Sequence, residues 1–227
     1  MNIEALKENP ARYLHNEITA FVRESQLNRL GRVDDGPIWD DPLVGFADGD
    51  DALFREYKTI IGSYHLTPRE LLQYAVDEFT EVGNRSLEKV SVISWILPTA
   101  ERIRESNRLE VREPSQMWVH ARHYGEDFND ALRYHIIDLL VDAGYFAMTA
   151  PIGSAVLKRY DYEMPNSPTS SWSERHAAYA AGLGTFSLND ALITPLGMAM
   201  RCGSVVTNLP LPPSPRPYEN HVSNCLY

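Results

Sequence analysis

His176 and Tyr179 stand three residues apart in a stretch with helical character, so their side chains share one face. Such a pair can bind a ligand carboxamide or donate protons, and it can equally stitch a helix to a sheet through hydrogen bonds. Directly after it, Ala180-Ala181-Gly182-Leu183-Gly184 places two glycines around one residue. That spacing permits positive φ and close approach of backbone to a large ligand, or a helix C-cap with a tight turn. It is not a dinucleotide fingerprint, which needs a preceding strand and a third glycine, and no Gly-Lys-Ser or Gly-Lys-Thr follows it as in a P-loop.

Other chemistry is thinly represented. His15, His65, His120, His123, His135 and His221 form no His-Glu-x-x-His pattern, and His120 with His123 lacks a Cys or acidic partner at ligand spacing. Asp34-Asp35, Asp40-Asp41 and Asp50-Asp51 read as a solvated acidic face, without the aromatic framing of a glycosidase site. No Gly-x-Ser-x-Gly elbow occurs. Cys202 and Cys225 are the only cysteines, too few for a cubane cluster or a structural zinc site, and no metal site is expected. Tyr124 and Tyr145 add phenols that can give a proton, and Arg201 reads either as a carboxamide or anion ligand or as a salt-bridged surface residue.

The elements that must position these groups follow from pattern. Residues 1–29 read as a helix, or two broken at Asn9-Pro10, with Ile3, Leu6, Tyr13, Ile18, Phe21 and Val22 near the helical period. Gly31 to Gly49 reads as a surface loop. Thr67-Pro68-Arg69-Glu70 forms a capping box with Pro at the first helical position, opening a helix to about Gly83. Val90 to Leu97 reads as a central strand, apolar on both faces. Asp127 to Ala143 is an amphipathic helix stopped by Gly144, and Tyr145 to Thr149 a short strand. Asn166 to Ser171 reads as a loop. Ser173 caps a helix from Glu174 to Ala181 closed by Gly182. Leu192 to Thr194 and Met200 to Asn208 are strands about a turn at Pro195-Leu196-Gly197. The class is α+β, a mixed sheet flanked by helices. Residues 1–208 form the core, helical to about residue 85, and the Pro-rich segment 209–227 leaves it.

Composition narrows the function. The 227 residues carry a net charge of −10, with 44% hydrophobic and 23% charged residues. That acidity argues against a general nucleic-acid or anionic-membrane binder, so nucleic acid is not an expected partner. Nothing approaches the roughly 20 apolar residues of a membrane span, and the N-terminus lacks the layout of a secretory signal. A cytoplasmic location is expected, in keeping with two cysteines and no disulfide framework.

The run Trp172 to Pro195, WSERHAAYAAGLGTFSLNDALITP, followed by Val205-Val206-Thr207-Asn208-Leu209-Pro210-Leu211, resembles the cobalamin-dependent reductases related to epoxyqueuosine reductase and the reductive dehalogenases. That group has an Ala-Gly-Leu-Gly turn, an apolar Leu-Ile-Thr-Pro-like strand and a strand ending in Leu-Pro-Leu. The resemblance implies a nitroreductase-like core binding cobalamin with its lower base displaced. It implies that Gly182, Leu183, Gly184, Ser187, Leu188, Asn189, Thr194, Met200, Arg201 and Ser204 contact the corrinoid. The cofactor would carry redox chemistry through Co(I) or Co(II) while the protein governs access and proton supply. His176, Tyr179 and Tyr145 are then the candidate proton donors.

Three departures matter. Tyr145 to Pro151 lines up with a strand of the type Phe-Val-Asp-Ser-Ala-Pro, whose aspartate is the proposed donor in epoxyqueuosine reductases, but Met148 holds that position and a thioether gives no proton. Thr185, Phe186 and Ser187 replace the Trp and Lys that tend to follow the glycine turn. In relatives a segment like Asn224-Cys225 leads into a ferredoxin-like domain with 4Fe-4S clusters, which would begin beyond Tyr227. The chain is expected to be part of a longer protein, and the clusters to belong to that further domain. The resulting expectation is a corrinoid-dependent reductase other than epoxyqueuosine reductase, acting on a small molecule with electrons from an iron–sulfur domain, ferredoxin or flavodoxin. A cobalamin-trafficking protein without turnover is the alternative. A flavin nitroreductase-like enzyme is a third reading, weakened by the lack of Arg or Lys placed for a flavin phosphate.

Overall fold

The computed structural model describes residues 3–31, 33–78, 87–150 and 170–226. Two helices open the chain, α1 (Ile3–Glu8) and α2 (Pro10–Glu24), separated as the sequence predicts. Pro10 has no N–H to lose at the first helical position, and Asn9 Oδ1 accepts from Arg12 N at 3.1 Å. The expected surface loop instead contains a strand, β1 (Leu43–Asp48). Asp, Gly and Pro around it mask a six-residue run with Val44 and Phe46, and Gly45 looks like a breaker. It is required there: a Cβ would sit 2.5 Å from Ala181 O.

Helix α3 (Ala52–Ile60) follows, capped by Asp51 Oδ1 to Leu53 N at 3.0 Å. No helix is expected here from the sequence, although Asp51 is a capping residue and Phe54 and Tyr57 fall on one buried face. Next comes α4 (Pro68–Glu78), where the predicted capping box forms: Thr67 N donates to Glu70 Oε2 at 2.8 Å and Glu70 N to Thr67 Oγ1 at 3.2 Å. The predicted continuation of this helix to Gly83, the residues of the predicted loop at 166–169 and Pro151 lie outside the described residues.

Strand β2 (Ser91–Pro98) is buried along all eight residues. A second helix absent from the sequence reading, α5 (Glu101–Arg108), leads to α6 (Gln116–Asp142), which starts eleven residues before the predicted Asp127. Its first turns pack on the core through Met117, Trp118, Ala121 and Tyr124, a stripe interrupted by His120, Arg122 and His123 in the sequence. Ser115 supplies the cap, accepting from Trp118 N at 3.2 Å. Gly144, at φ +89°, ends it as expected. The predicted strand after it shortens to β3 (Ala147–Met148). Then α7 (Glu174–Ala180) is capped by Ser173 and closed by Gly182 at φ +76°. Strands β4 (Thr185–Phe186), β5 (Leu192–Ile193) and β6 (Met200–Thr207) complete the chain.

The main sheet runs β1-β2-β6-β3, and every pairing is antiparallel, with Ser94 opposite Ser204 at its centre. The class α+β stands; the mixed sheet does not. A strand apolar on both faces is typical of parallel sheets, but here helices cover both faces of an antiparallel one. Ile93, Trp95 and Leu97 face Leu14, Ile18, Phe128 and Leu132, while Val92 and Ile96 face Phe54, Leu71, Ala177 and Ala178. The Pro-rich segment does not leave the core. Leu209 and Leu211 are buried, and Ser214 pairs with the β1 edge through Ser214 N to Phe46 O at 2.8 Å and Phe46 N to Ser214 Oγ at 2.9 Å. Further on, Asn224 N donates to Thr185 Oγ1 at 2.9 Å.

Candidate functional site

Where β2 ends and β6 begins, the backbone opens into a cavity of about 820 Å³. Thr99 N donates to Ala199 O at 2.9 Å and Trp39 bridges to Thr99, so the strand ends hold Trp39 and Arg201 beside each other. Trp39, Thr99, Trp118, Arg122, Trp172, Glu174, Leu192 and Met198 line the cavity. Met200, Arg201 and Cys202 of β6 line it as well.

A charged network lies against this cavity. Arg133, 1% exposed, projects from the apolar stripe of α6. Its Nη1 donates to Glu126 Oε1 at 2.9 Å and Asp130 Oδ1 at 2.6 Å, and its Nη2 to Glu174 Oε1 at 3.2 Å. Arg201 pairs with Glu126 and donates from Nη2 to Arg122 O at 3.1 Å. Glu174 Oε2 accepts the hydroxyl proton of Ser204, whose oxygen in turn accepts from Trp172 Nε1 at 3.1 Å. Burial pushes the Glu174 carboxyl above the usual carboxylate range, against the pull of the Arg133 guanidinium. Burial likewise pushes the Cys202 thiol up to about 12, so it stays protonated and unreactive.

Behind Trp172 lies a second cluster. His65, 1% exposed, stacks on Trp172 at 6.0 Å between centroids, and His176 meets Tyr57 at 4.7 Å and Phe186 at 4.6 Å. Both His65 nitrogens are buried with no hydrogen-bond partner. Desolvation lowers both imidazoles to about 4, leaving them neutral. Ser173 Oγ is 2.7 Å from His176 Nδ1, and Tyr57 Oη donates to His176 O at 3.1 Å.

Of the site residues expected from sequence, Met200 and Arg201 line the cavity, and Ser204 holds Glu174 there. His176 and Tyr179 pack on Phe186 instead, and Tyr145 packs against the core on the α6 side. The glycine turn is taken up by the chain's own backbone. A Cβ on Gly182 would lie 2.2 Å from Pro215 O, and one on Gly184 2.5 Å from Ile193 O. Leu183 packs beside Gly45. Ser187 and Asn189 bond each other, Leu188 is exposed, and Thr194 Oγ1 donates to Gly197 O at 2.8 Å within the turn. Met148 is buried in the core against α4 and α7.

Sequence reasoning missed Trp39, Trp118, Trp172, Glu174 and Arg133 as site residues. One signal was present: Arg133 and Asn129 fall on the stripe formed by Phe128, Leu132 and Ile136, where a polar residue must have partners. The tryptophans, 133 residues apart from Trp39 to Trp172, carry no local signal.

No protein-family model matches the chain, and no curated protein matches it. Several solved structures of epoxyqueuosine reductase do align with it. One, with an epoxyqueuosine-modified tRNA-Tyr stem loop, is 17% identical at a TM-score of 0.47, covering 99% of this chain and 50% of that one. The enzyme from Bacillus subtilis is 17% identical at a TM-score of 0.40, over 99% and 50% of the two chains. A selenomethionine-labelled epoxyqueuosine reductase is 16% identical at 0.42, over 99% and 51%. The chain spans about half the length of these proteins. Among the described residues, no group of three or more His, Cys, Asp or Glu is placed to hold a metal ion, and no helix is long and apolar enough to cross a membrane.

Proposed function

We propose that this chain is the corrinoid-binding core, nitroreductase-like in fold, of a cytoplasmic cobalamin-dependent reductase other than an epoxyqueuosine reductase. The observation that carries the reading is a coincidence of segment and site. The run that resembles the epoxyqueuosine reductase and reductive dehalogenase group supplies Trp172, Glu174, Arg175, Ala191 and Leu192 to the cavity wall, and the segment between its two parts supplies Met198, Met200 and Arg201.

The residues present suit an amide-fringed macrocycle. Indole and thioether side chains at Trp172, Met198 and Met200 offer a flat, polarisable wall. Ser171 Oγ, buried without a hydrogen-bond partner, suits a carbonyl group. The charges of Arg133 and Arg201 are largely met within the protein by Glu126, Asp130 and Glu174, so they act as fixed dipoles more than as free cations. A bound corrinoid supplies the redox chemistry. The chain itself holds Glu174 as a carboxyl raised by burial at the cavity, whereas Met148 lies in the core and can give no proton. Electrons come from an iron–sulfur domain, ferredoxin or flavodoxin.

Titrating the protein with hydroxocobalamin tests the reading. A shift of the corrinoid visible spectrum saturating near one equivalent is expected, weakened at least tenfold by Trp172→Ala. No spectral change with folded protein sinks it.

A further inference from the structure

We infer that the Trp39 corner of the cavity seats a planar, carboxylate-bearing small molecule. This names the substrate class of the site proposed above and rests on that reading. Four arginines line the cavity against two glutamates, in a chain of net charge −10. With Asp130 also paired to Arg133, a small excess of positive charge remains along the lining, which favours anions over cations. Arg133 and Arg201 are paired, but Arg122 is exposed at the rim, and no ion pair engages it among the described residues.

The corner also contains donors without acceptors. Trp39 is 4% exposed and its Nε1 is buried with no partner; Arg201 Nε is buried with no partner too. Indole and guanidinium nitrogens only donate, so each calls for an acceptor. Both belong to one corner, since the Arg201 guanidinium lies 6.0 Å from the centroid of the Trp39 ring. Leaving such donors unmet in a buried site is costly, and a carboxylate with its several lone pairs meets both. Trp118 and Trp172 add aromatic surface to the cavity lining, which favours a conjugated body.

Calorimetric titration of the full chain with naphthalene-2-carboxylate tests this, using naphthalene-2-carboxamide as neutral isostere and adenosine 5′-monophosphate as a planar phosphate. The carboxylate should bind saturably, at least tenfold tighter than the amide. Trp39→Phe keeps the ring and removes the donor, and should weaken binding about tenfold. Arg122→Gln, at an exposed position that leaves the fold intact, should weaken it about threefold and reduce its salt dependence. Equal binding of carboxylate and amide, no binding by folded protein, or tighter binding of the nucleotide overturns the inference. Hydroxocobalamin titration of the same sample separates the two claims. Corrinoid binding without carboxylate preference overturns this inference alone, whereas carboxylate binding without corrinoid binding overturns the cofactor reading.

Discussion

Replacing Arg133 by Met keeps the volume of the side chain and removes the cation shared by three carboxylates. The consequences differ among them. Asp130 has a side chain 38% exposed and rehydrates readily; Glu126, at 27%, keeps Arg201; Glu174, at 19%, is left against Trp172 and Ser204 with no cation. Breaking one side of a buried ion pair costs about 3–5 kcal/mol, and most of it falls here on Glu174. With an m-value near the upper end of about 1–3 kcal/mol/M in urea, the midpoint should drop by about 1.5 M at pH 8. Adding Glu174→Gln removes the stranded charge, so the double variant should recover about half of that loss. The pH dependence has a definite sign. A carboxyl whose folded pKa is raised favours the folded state below its unfolded value, and that contribution is lost as pH rises through the folded value. Losing the Arg133 guanidinium raises Glu174 further, so the single variant should be less destabilised at pH 5 than at pH 8. Urea unfolding followed by tryptophan fluorescence reads all of this. A midpoint shift below about 0.3 M, or strictly additive single variants, would refute the assignment of Arg133 as the cation that balances the cavity acids.

Two further outcomes follow from burial and backbone. His65 is neutral in the fold at a pKa of about 4 against 6.5 unfolded, so stability is present above pH 6.5 and declines as pH falls towards 4. Between pH 6.5 and 5 its share is about 2 kcal/mol, and His65→Phe should flatten that slope while His176 retains its own; parallel profiles count against it. Gly182→Ala, at φ +76° with a Cβ 2.2 Å from Pro215 O, should cost well over the roughly 1–2 kcal/mol of left-handed strain alone and expose residues 209–226 to protease. Gly144→Ala, at φ +89° with nothing within 4 Å, should show only the strain.

What the sequence makes legible is whatever depends on neighbours in the chain. The capping box at Thr67, the break at Asn9-Pro10 and the stop at Gly144 are local decisions, and each occurs as read. Strand β2 is legible because burial on both faces leaves one continuous apolar run. Strand β1 is not, since Gly45 answers to Ala181, 136 residues away. The glycine turn shows the same limit from the other side. Its spacing announces close backbone approach, but only the fold reveals that Pro215 and Ile193 do the approaching. The cavity is the least legible part, because Trp39, Trp118 and Arg201 meet only through the order β1-β2-β6.

That strand order also governs when the site comes into being. Pairing Pro98 with Met200 closes a loop of about 100 residues, at an entropic cost of about 4 kcal/mol before any contact in it is rewarded. Trp39 and Thr99 have no reason to face Arg201 until that closure happens, so the cavity belongs to the late, non-local part of folding. A ligand held there recognises only the closed state and stabilises it by mass action. It would therefore slow unfolding at the seam where β2 ends and β6 begins, making the occupied site a clasp on the sheet's longest-range pairing.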